Sequence, residues 1–529
     1  MTEAVSGSYS PAQGWQQLES ATSQSPPIAG LTEIGTSLQG QPPQVTGVQP
    51  SSGSTAGGTQ VTISGANLLG ATQVYFGANP ATGFQVQSAG AITATVPPGS
   101  PGFVDVQVET SLGTSSPGGS DGFVYTSSGA YHPLTPARIE DTRAGSGLPG
   151  SGQAPGPGGV LDVQVAGVGG VPPTGAAGVL INLTVTDTTA QSYVTAFPAG
   201  VAVPSTSSID FQAQDTKANL VEVALGRGGQ ISIYNQGGTT QVVVDVEGWY
   251  DSTGASGGPY VPLTPYRICD TRPPVFTPQN QCTGKTLQAG TTLTIQVAGT
   301  NPLGTTSGGV PASGVLAVDL TVTATNPTVP SYLTVWPAGA TRPTASNLNF
   351  LGAETVANNV VVAVPQSGAD AGEVSIYNAN GSTDVVVDVS GYYATTTGPG
   401  LFVPMVPYRI CDTRSTAISG LTDSCTGHTL VASGTSGAVL VLQVAGVGGI
   451  PANATSVVLN VTVTDTTAAD YLTVYPDGST RPNSSSLNWP AGETVASGVT
   501  ATLGAGGALD FYIPQGAADL VVDVVGWEQ

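Results

Sequence analysis

Charge is what this chain lacks. Only 8% of its 529 residues are Asp, Glu, Lys or Arg, against roughly 25% in an ordinary globular protein. Bases are the scarcer sign, 11 Lys and Arg against 33 Asp and Glu, for a formal net charge of −22. Phosphate recognition needs Lys/Arg patches, so nucleic acid is not an expected partner, and anionic membranes are disfavoured for the same reason. Histidine is nearly absent too: His132 and His428 stand at unrelated positions. No GxSxG, HExxH or P-loop pattern occurs, so no catalytic residue is assigned and no enzyme is expected. No apolar run approaches ~18 residues, so no membrane span is expected. The first residues, MTEAVSGSYSPAQGW, have no basic start and no apolar segment of the kind a secretory leader uses.

What is abundant is Gly (73) and Pro (41), with Val, Thr, Ala and Ser, and 39% of residues are hydrophobic. Low charge and alternating apolar patterns argue against disorder. Short period-2 runs between Gly/Pro turns predict an all-β chain of tandem β-sandwich modules. Residues 1–42 are a polar Pro/Ser/Gln-rich arm, either a loose tail or an anchor that docks on a protein assembly partner. Within it SPAQGWQQLESA suits a short helix, with Ser10 as N-cap and Pro11 at the first helical position.

Residues 43–126 contain Pro50, Gly53, the Gly57-Gly58-Thr59 turn, the strands VTISG and QVYFG, the Pro97-Pro98 turn and a closing FVY. The segment resembles the IPT/TIG family, and the resemblance implies an immunoglobulin-like sandwich used for spacing and interaction. After it, a unit of about 120–135 residues occurs three times, at 131–250, 260–393 and 401–529. Each unit opens on a related phrase (YHPLTPARIEDTR, YVPLTPYRICDTR, FVPMVPYRICDTR) and closes on VVVDVEGWY, VVVDVSGYY or LVVDVVGWE. These units resemble the VPLxPxRxxDTR modules of secreted and surface proteins of high-GC, actinobacterial-type bacteria. Turn spacing predicts eight or nine strands per unit, as in a sandwich or jelly roll. The short Gly/Thr/Ser-rich links near 251–259 and 394–400 predict modules strung like beads on restricted hinges.

Six of the nine arginines lie in the three opening phrases: Arg138 and Arg143 around Asp141, Arg267 and Arg272 around Asp270, Arg409 and Arg414 around Asp412. Guanidinium–carboxylate forks can lock a loop, so these residues form a candidate structural ion-pair motif, with Asp245, Asp388 and Asp523 of the closing strands as further partners. The rival reading is a site for an acidic sugar or carboxylate. Cys269 with Cys282, and Cys411 with Cys425, occupy matching places in the second and third units. The first unit has neither cysteine, Glu140 standing at the first place. Two local disulfides are predicted, and with them an oxidising location. No Cys/His cluster supports metal ligation, and the recurring Asp187 and Asp465 are too few for calcium, so no metal or cofactor is expected. The aromatic-Pro turns at Phe197, Trp336 and Tyr475 are either core or platforms for stacking a ligand.

The function expected is a structural or adhesive protein displayed outside a cell, with cell-surface glycan or protein as ligand. The alternative is a phage or phage-like fibre, tail or decoration protein. A secreted carbohydrate-active enzyme, or its accessory modules, ranks below both. Oligomers are compatible with either leading reading, although no coiled-coil heptad supports a trimeric fibre.

Overall fold

The computed structural model describes residues 9–10, 14–15, 40–273, 280–414, 425–433 and 437–529. In the arm, Tyr9–Ser10 and Gly14–Trp15 form a two-residue antiparallel pair. The expected helix is therefore not what these residues make; the rest of that segment lies outside the described residues. Beyond the arm the chain is almost entirely β-strand.

The first domain packs a four-stranded sheet (Gln44–Gln49, Gln60–Ala66, Ala91–Thr95, Gly83–Ser88) on a six-stranded one. Val48, Ile63, Val74, Phe76, Phe123 and Tyr125 are among the inward residues of its core.

Each repeat unit is built from two four-stranded sheets. In the first unit, one sheet runs Tyr131–Asp141, Gln241–Asp251, Ala176–Thr186, Lys217–Ala224. The other runs Gly159–Gln164, Gln230–Asn235, Ser192–Pro198, Ile209–Phe211. Numbered along the unit, the orders are 1-8-3-6 and 2-7-4-5, the connectivity of a jelly roll. The second unit repeats this order; the third adds only the short strand Leu430–Val431 beside its closing strand.

The modules are not beads. Their first sheets meet face to face around a common axis, where Tyr131, Leu180, Leu220 and Tyr250 of the first module, Tyr260, Ala317, Val361 and Tyr393 of the second, and Phe402, Val458 and Val525 of the third form one buried cluster. The links are drawn into this core: Gly258 exchanges backbone hydrogen bonds with Tyr131, and the Gly129 and Phe402 backbones do the same. The physical reason is that the closing strands carry apolar residues on both faces, so Gln241–Asp251 and Ala517–Glu528 are buried over most of their length. A sandwich alone covers only one face of each sheet; the other needs a neighbour.

The glycine in each closing phrase has a use here. A Cβ at Gly248, Gly391 or Gly526 would stand 2.3–2.4 Å from the ring or hydroxyl of Tyr131, Tyr260 or Phe402. Only glycine lets the opening aromatic lie across the closing strand and reach the axis.

Candidate functional site: the boundaries between modules

The three opening phrases adopt one geometry. Strand register sets Arg138 opposite Asp245, Arg267 opposite Asp388 and Arg409 opposite Asp523, and a bulge follows each arginine. Arg138 then donates from Nε and Nη2 to the two Asp245 oxygens at 2.9 and 3.0 Å, and its Nη1 reaches Asp141 at 3.5 Å. Arg143 forks back onto Asp141 at 2.9 and 2.6 Å. The second module repeats this with Arg267 on Asp388 (3.0 and 3.2 Å) and Arg272 on Asp270 (2.9 and 2.6 Å). In the third, Arg409 grips Asp523 at 2.8 and 3.1 Å, and Arg414 grips Asp412 at 2.8 and 2.6 Å. The intervening threonine ties the same strand end, since Thr142, Thr271 and Thr413 each accept a backbone N–H from the closing strand.

Burial sorts these acids into two kinds. Desolvation raises Asp245, Asp388 and Asp523 above the ordinary carboxylate value despite their arginines. For Asp141 and Asp412 desolvation pushes upward as well, but the Arg143 and Arg414 forks outweigh it and leave both lowered.

Disulfides join Cys269 to Cys282 and Cys411 to Cys425. At the matching place in the first module, the buried Glu140 carboxylate accepts hydrogen bonds from the Gly150 and Asp141 backbone N–H groups at 2.7 and 2.9 Å. A carboxylate thus ties the loop that a sulfur bridge ties elsewhere.

Phe197, Trp336 and Tyr475 are 2%, 6% and 6% exposed. Burial this deep favours the core alternative over ligand stacking: Phe197 packs in a cluster with Val124 and Phe103 of the first domain, and Trp336 donates its indole N–H to the Ala340 carbonyl. Asp187, Asn326 and Asp465 occupy left-handed turn positions with φ of 51°, 52° and 52°, a conformation short polar side chains tolerate. Among the described residues, no group of three or more His, Cys, Asp or Glu is arranged to hold a metal ion.

The phrases sit at the boundaries, each facing the next module. Arg138 also donates to the Thr344 carbonyl of the second module at 3.1 Å. Asn182 donates to Ser346 O (2.6 Å) and receives from Asn358 (3.4 Å). Where the third module meets the first, Asn460 donates to Ser207 O (2.6 Å), Asn219 donates to Asn460 (2.9 Å), and the Ser207 N–H reaches Asp523 (3.4 Å). Between the second and third modules the positions of these asparagines hold Thr321 and Ser497. There a pocket of about 330 Å³ remains, lined by Arg267, Arg272, Tyr471, Arg481, Ser485 and Asn488 among others. Arg481 was not singled out by the sequence patterns. Its signal was scarcity: it is one of three arginines outside the opening phrases, and Arg342 occupies the same loop position one module earlier.

At the axis, the ring centroids of Tyr131 and Tyr393 are 4.2 Å apart and those of Tyr250 and Phe402 4.4 Å. Each module adds one buried acid at a non-equivalent position: Glu222, Asp319 and Glu528. Burial pushes them to about 8, about 6 and about 7, and mutual repulsion adds to the shifts of Glu222 and Glu528. Tyr260 donates to Asp319 at 2.8 Å.

The first domain is strapped to the first module by Arg227, which reaches Asp105 at 2.6 Å and the buried Asp121 at 3.2 Å and lies over the Phe103 ring. Residues 43–125 match the IPT/TIG domain family. This segment is an IPT/TIG domain. No curated protein matches the chain. Among solved structures, SGBP-B from a complex xyloglucan utilization locus in Bacteroides uniformis is 14% identical, covering 67% of this chain and 99% of its own, with a TM-score of 0.17. The surface glycan-binding protein PbSGBP-B from Prevotella bryantii is 10% identical over 67% of this chain and 99% of its own, TM-score 0.16. A triple jelly-roll protein of an archaeal virus turret assembly is 10% identical over 76% of this chain and 90% of its own, TM-score 0.16. The similarity is distant. The IPT/TIG domain also borders the third module, where Ser52 accepts the Val406 N–H and a cleft of about 970 Å³ opens between them. No helix among the described residues is long and apolar enough to cross a membrane.

Proposed function

We propose that this chain is a non-enzymatic structural and adhesive protein displayed outside a cell or on a particle, where it contacts glycan or protein through the boundaries of its modules. The observation that carries this reading is the closure of three jelly rolls around one buried axis within a single chain. Such a body is rigid without needing two further copies, and the Arg–Asp forks staple its strand ends where modules meet. Glu222, Asp319 and Glu528, whose values burial raises, lie inside the sealed axis rather than in an open cleft, which suits packing better than acid–base chemistry. Two disulfides suit an oxidising setting.

A virion component is the second reading, and the pseudo-threefold axis favours it. A body of this symmetry is suited to a threefold position on a particle, with residues 1–42 as anchor. Antibody-gold electron microscopy of the native source, cells and released particles together, tests both. Label on the envelope supports the surface reading, label on particles the virion reading, and label confined to the cytosol of intact, particle-free cells overturns both.

A further inference from the structure

We propose that the pocket between the second and third modules binds one carboxylate-bearing sugar, a uronate unit within a glycan. The inference rests on the adhesive reading above and gives it a ligand class and a place.

Three observations converge on it. The first is that the boundary is open there for a chemical reason. At the other two boundaries paired asparagines, Asn182 with Asn358 and Asn219 with Asn460, bond across the gap. Thr321 and Ser497 stand in their places here and are too short to do so. At the first boundary Arg138 also spends a donor on the Thr344 carbonyl. Arg267, its counterpart, makes its hydrogen bonds with Asp388 and Asp270 and lines the pocket instead.

The second is charge. Arg267 and Arg272 are balanced by Asp270 and Asp388. Arg481 has no carboxylate partner among the described ion pairs; its guanidinium stacks on the Tyr512 ring 3.7 Å from the centroid. The pocket therefore carries one uncompensated positive charge, presented by a planar fork that matches a carboxylate. A polyanion is a poor fit, because the chain as a whole carries −22 and would repel it at long range. A monoanionic group on an otherwise neutral sugar meets the local charge without that opposition.

The third is the remaining lining. Ser485 and Asn488 offer hydroxyl and amide partners for sugar hydroxyls, Tyr471 offers a ring, and about 330 Å³ accommodates one or two hexose units. The chain contains its own negative control. In the first module the equivalents of Arg481 and Asn488 are Val203 and Asp210, so the boundary between the third and first modules has lost the free cation and gained an acid.

The test is calorimetric titration of the full chain with a disaccharide carrying a single glucuronate on a neutral hexose, with its methyl ester as the uncharged analogue. The expected result is binding of the acid at one site per chain, weakening as salt rises, with the ester at least tenfold weaker. Arg481→Gln should weaken acid binding tenfold or more, while Arg342→Gln, at the sealed boundary, leaves it unchanged. Should Arg481→Gln disturb the fold, Asn488→Asp serves instead, since the first module already carries Asp at that register position. Equal binding of acid and ester, unchanged affinity in both variants, or no binding of the acid overturns the proposal. A parallel glycan array separates the two levels: hits on neutral glycans that survive Arg481→Gln sink the carboxylate site while leaving the adhesive function standing.

Discussion

The axis predicts an inverted pH response. Glu222 titrates ordinarily at 4.5 and is held at about 8 by burial first, then by Asp319 and Glu528. A carboxyl with a raised native value keeps its full contribution below about 4.5 and loses stability as pH climbs through its native value. At about 1.4 kcal/mol per pH unit, the ceiling for Glu222 alone is on the order of 4–5 kcal/mol by pH 9. Because the three acids are coupled, removing one relieves the others, and a substitution should recover roughly 2–4 kcal/mol. The groups facing Glu222 across the axis are Asp319, Glu528 and the hydroxyls of Tyr131, Tyr250 and Tyr393. No Lys or Arg enters the shift of any of the three acids. Glu222→Gln mimics the neutral acid. Its unfolding midpoint, followed by near-UV circular dichroism of the axial tyrosines, should match the parent at pH 4.5–5 and exceed it at pH 9. A variant that differs from the parent by the same amount at both pH values would refute the reasoning, since a simple packing change is insensitive to pH.

Further outcomes follow from the same geometry. Arg409 is 7% exposed and Asp523 fully buried, so Arg409→Ala should cost about 3–5 kcal/mol by stranding the acid, whereas Arg409→Met with Asp523→Leu should cost far less; denaturant midpoints decide. Arg143→Ala, at a 46% exposed side chain, should cost under about 1 kcal/mol in the same assay. Reductant opens loops of 13 and 14 residues, worth about 3 kcal/mol each. Hydrogen exchange should then rise around residues 282–287 and 425–431 but not around 143–152, where Glu140 holds the loop. Arg227→Ala should loosen the IPT/TIG domain from the first module, read as new protease sensitivity near residues 126–130. Deleting residues 1–42 should abolish incorporation into the parent assembly while the modules stay folded; normal incorporation would remove the arm's anchoring role.

Much of the architecture was legible because it repeats. Three copies of one strand pattern, each opening on an Arg-rich phrase and closing on VVVDV-type runs, specify three copies of one sandwich, and paired presence or absence of cysteines marks two local bridges. The bead-like arrangement went wrong at an identifiable place. The runs VVVDV and VLINL are continuous rather than alternating, a sign of strands buried on both faces, and reading them as one-faced left the outer face to solvent. The aromatic-Pro rings were ambiguous for a different reason: nothing in a local pattern says whether a turn faces water or another domain, and Phe197 lies under the IPT/TIG domain.

The amino-acid sequence by itself determined the class of fold, the tandem succession of sandwich modules, and which arginines and acids would be near one another, because strand period, turn residues and local spacing are short-range properties. Which side chains meet across modules was decided only by tertiary structure. Glu222, Asp319 and Glu528 lie about a hundred residues or more apart on three different strands, and nothing near any of them marks it as buried. Arg481 likewise acquires its meaning only from Arg267 and Arg272, two hundred residues earlier, and from the asparagine pair that its boundary lacks. Closure around an axis brings such positions together, and burial and charge there depend on every module being in place at once.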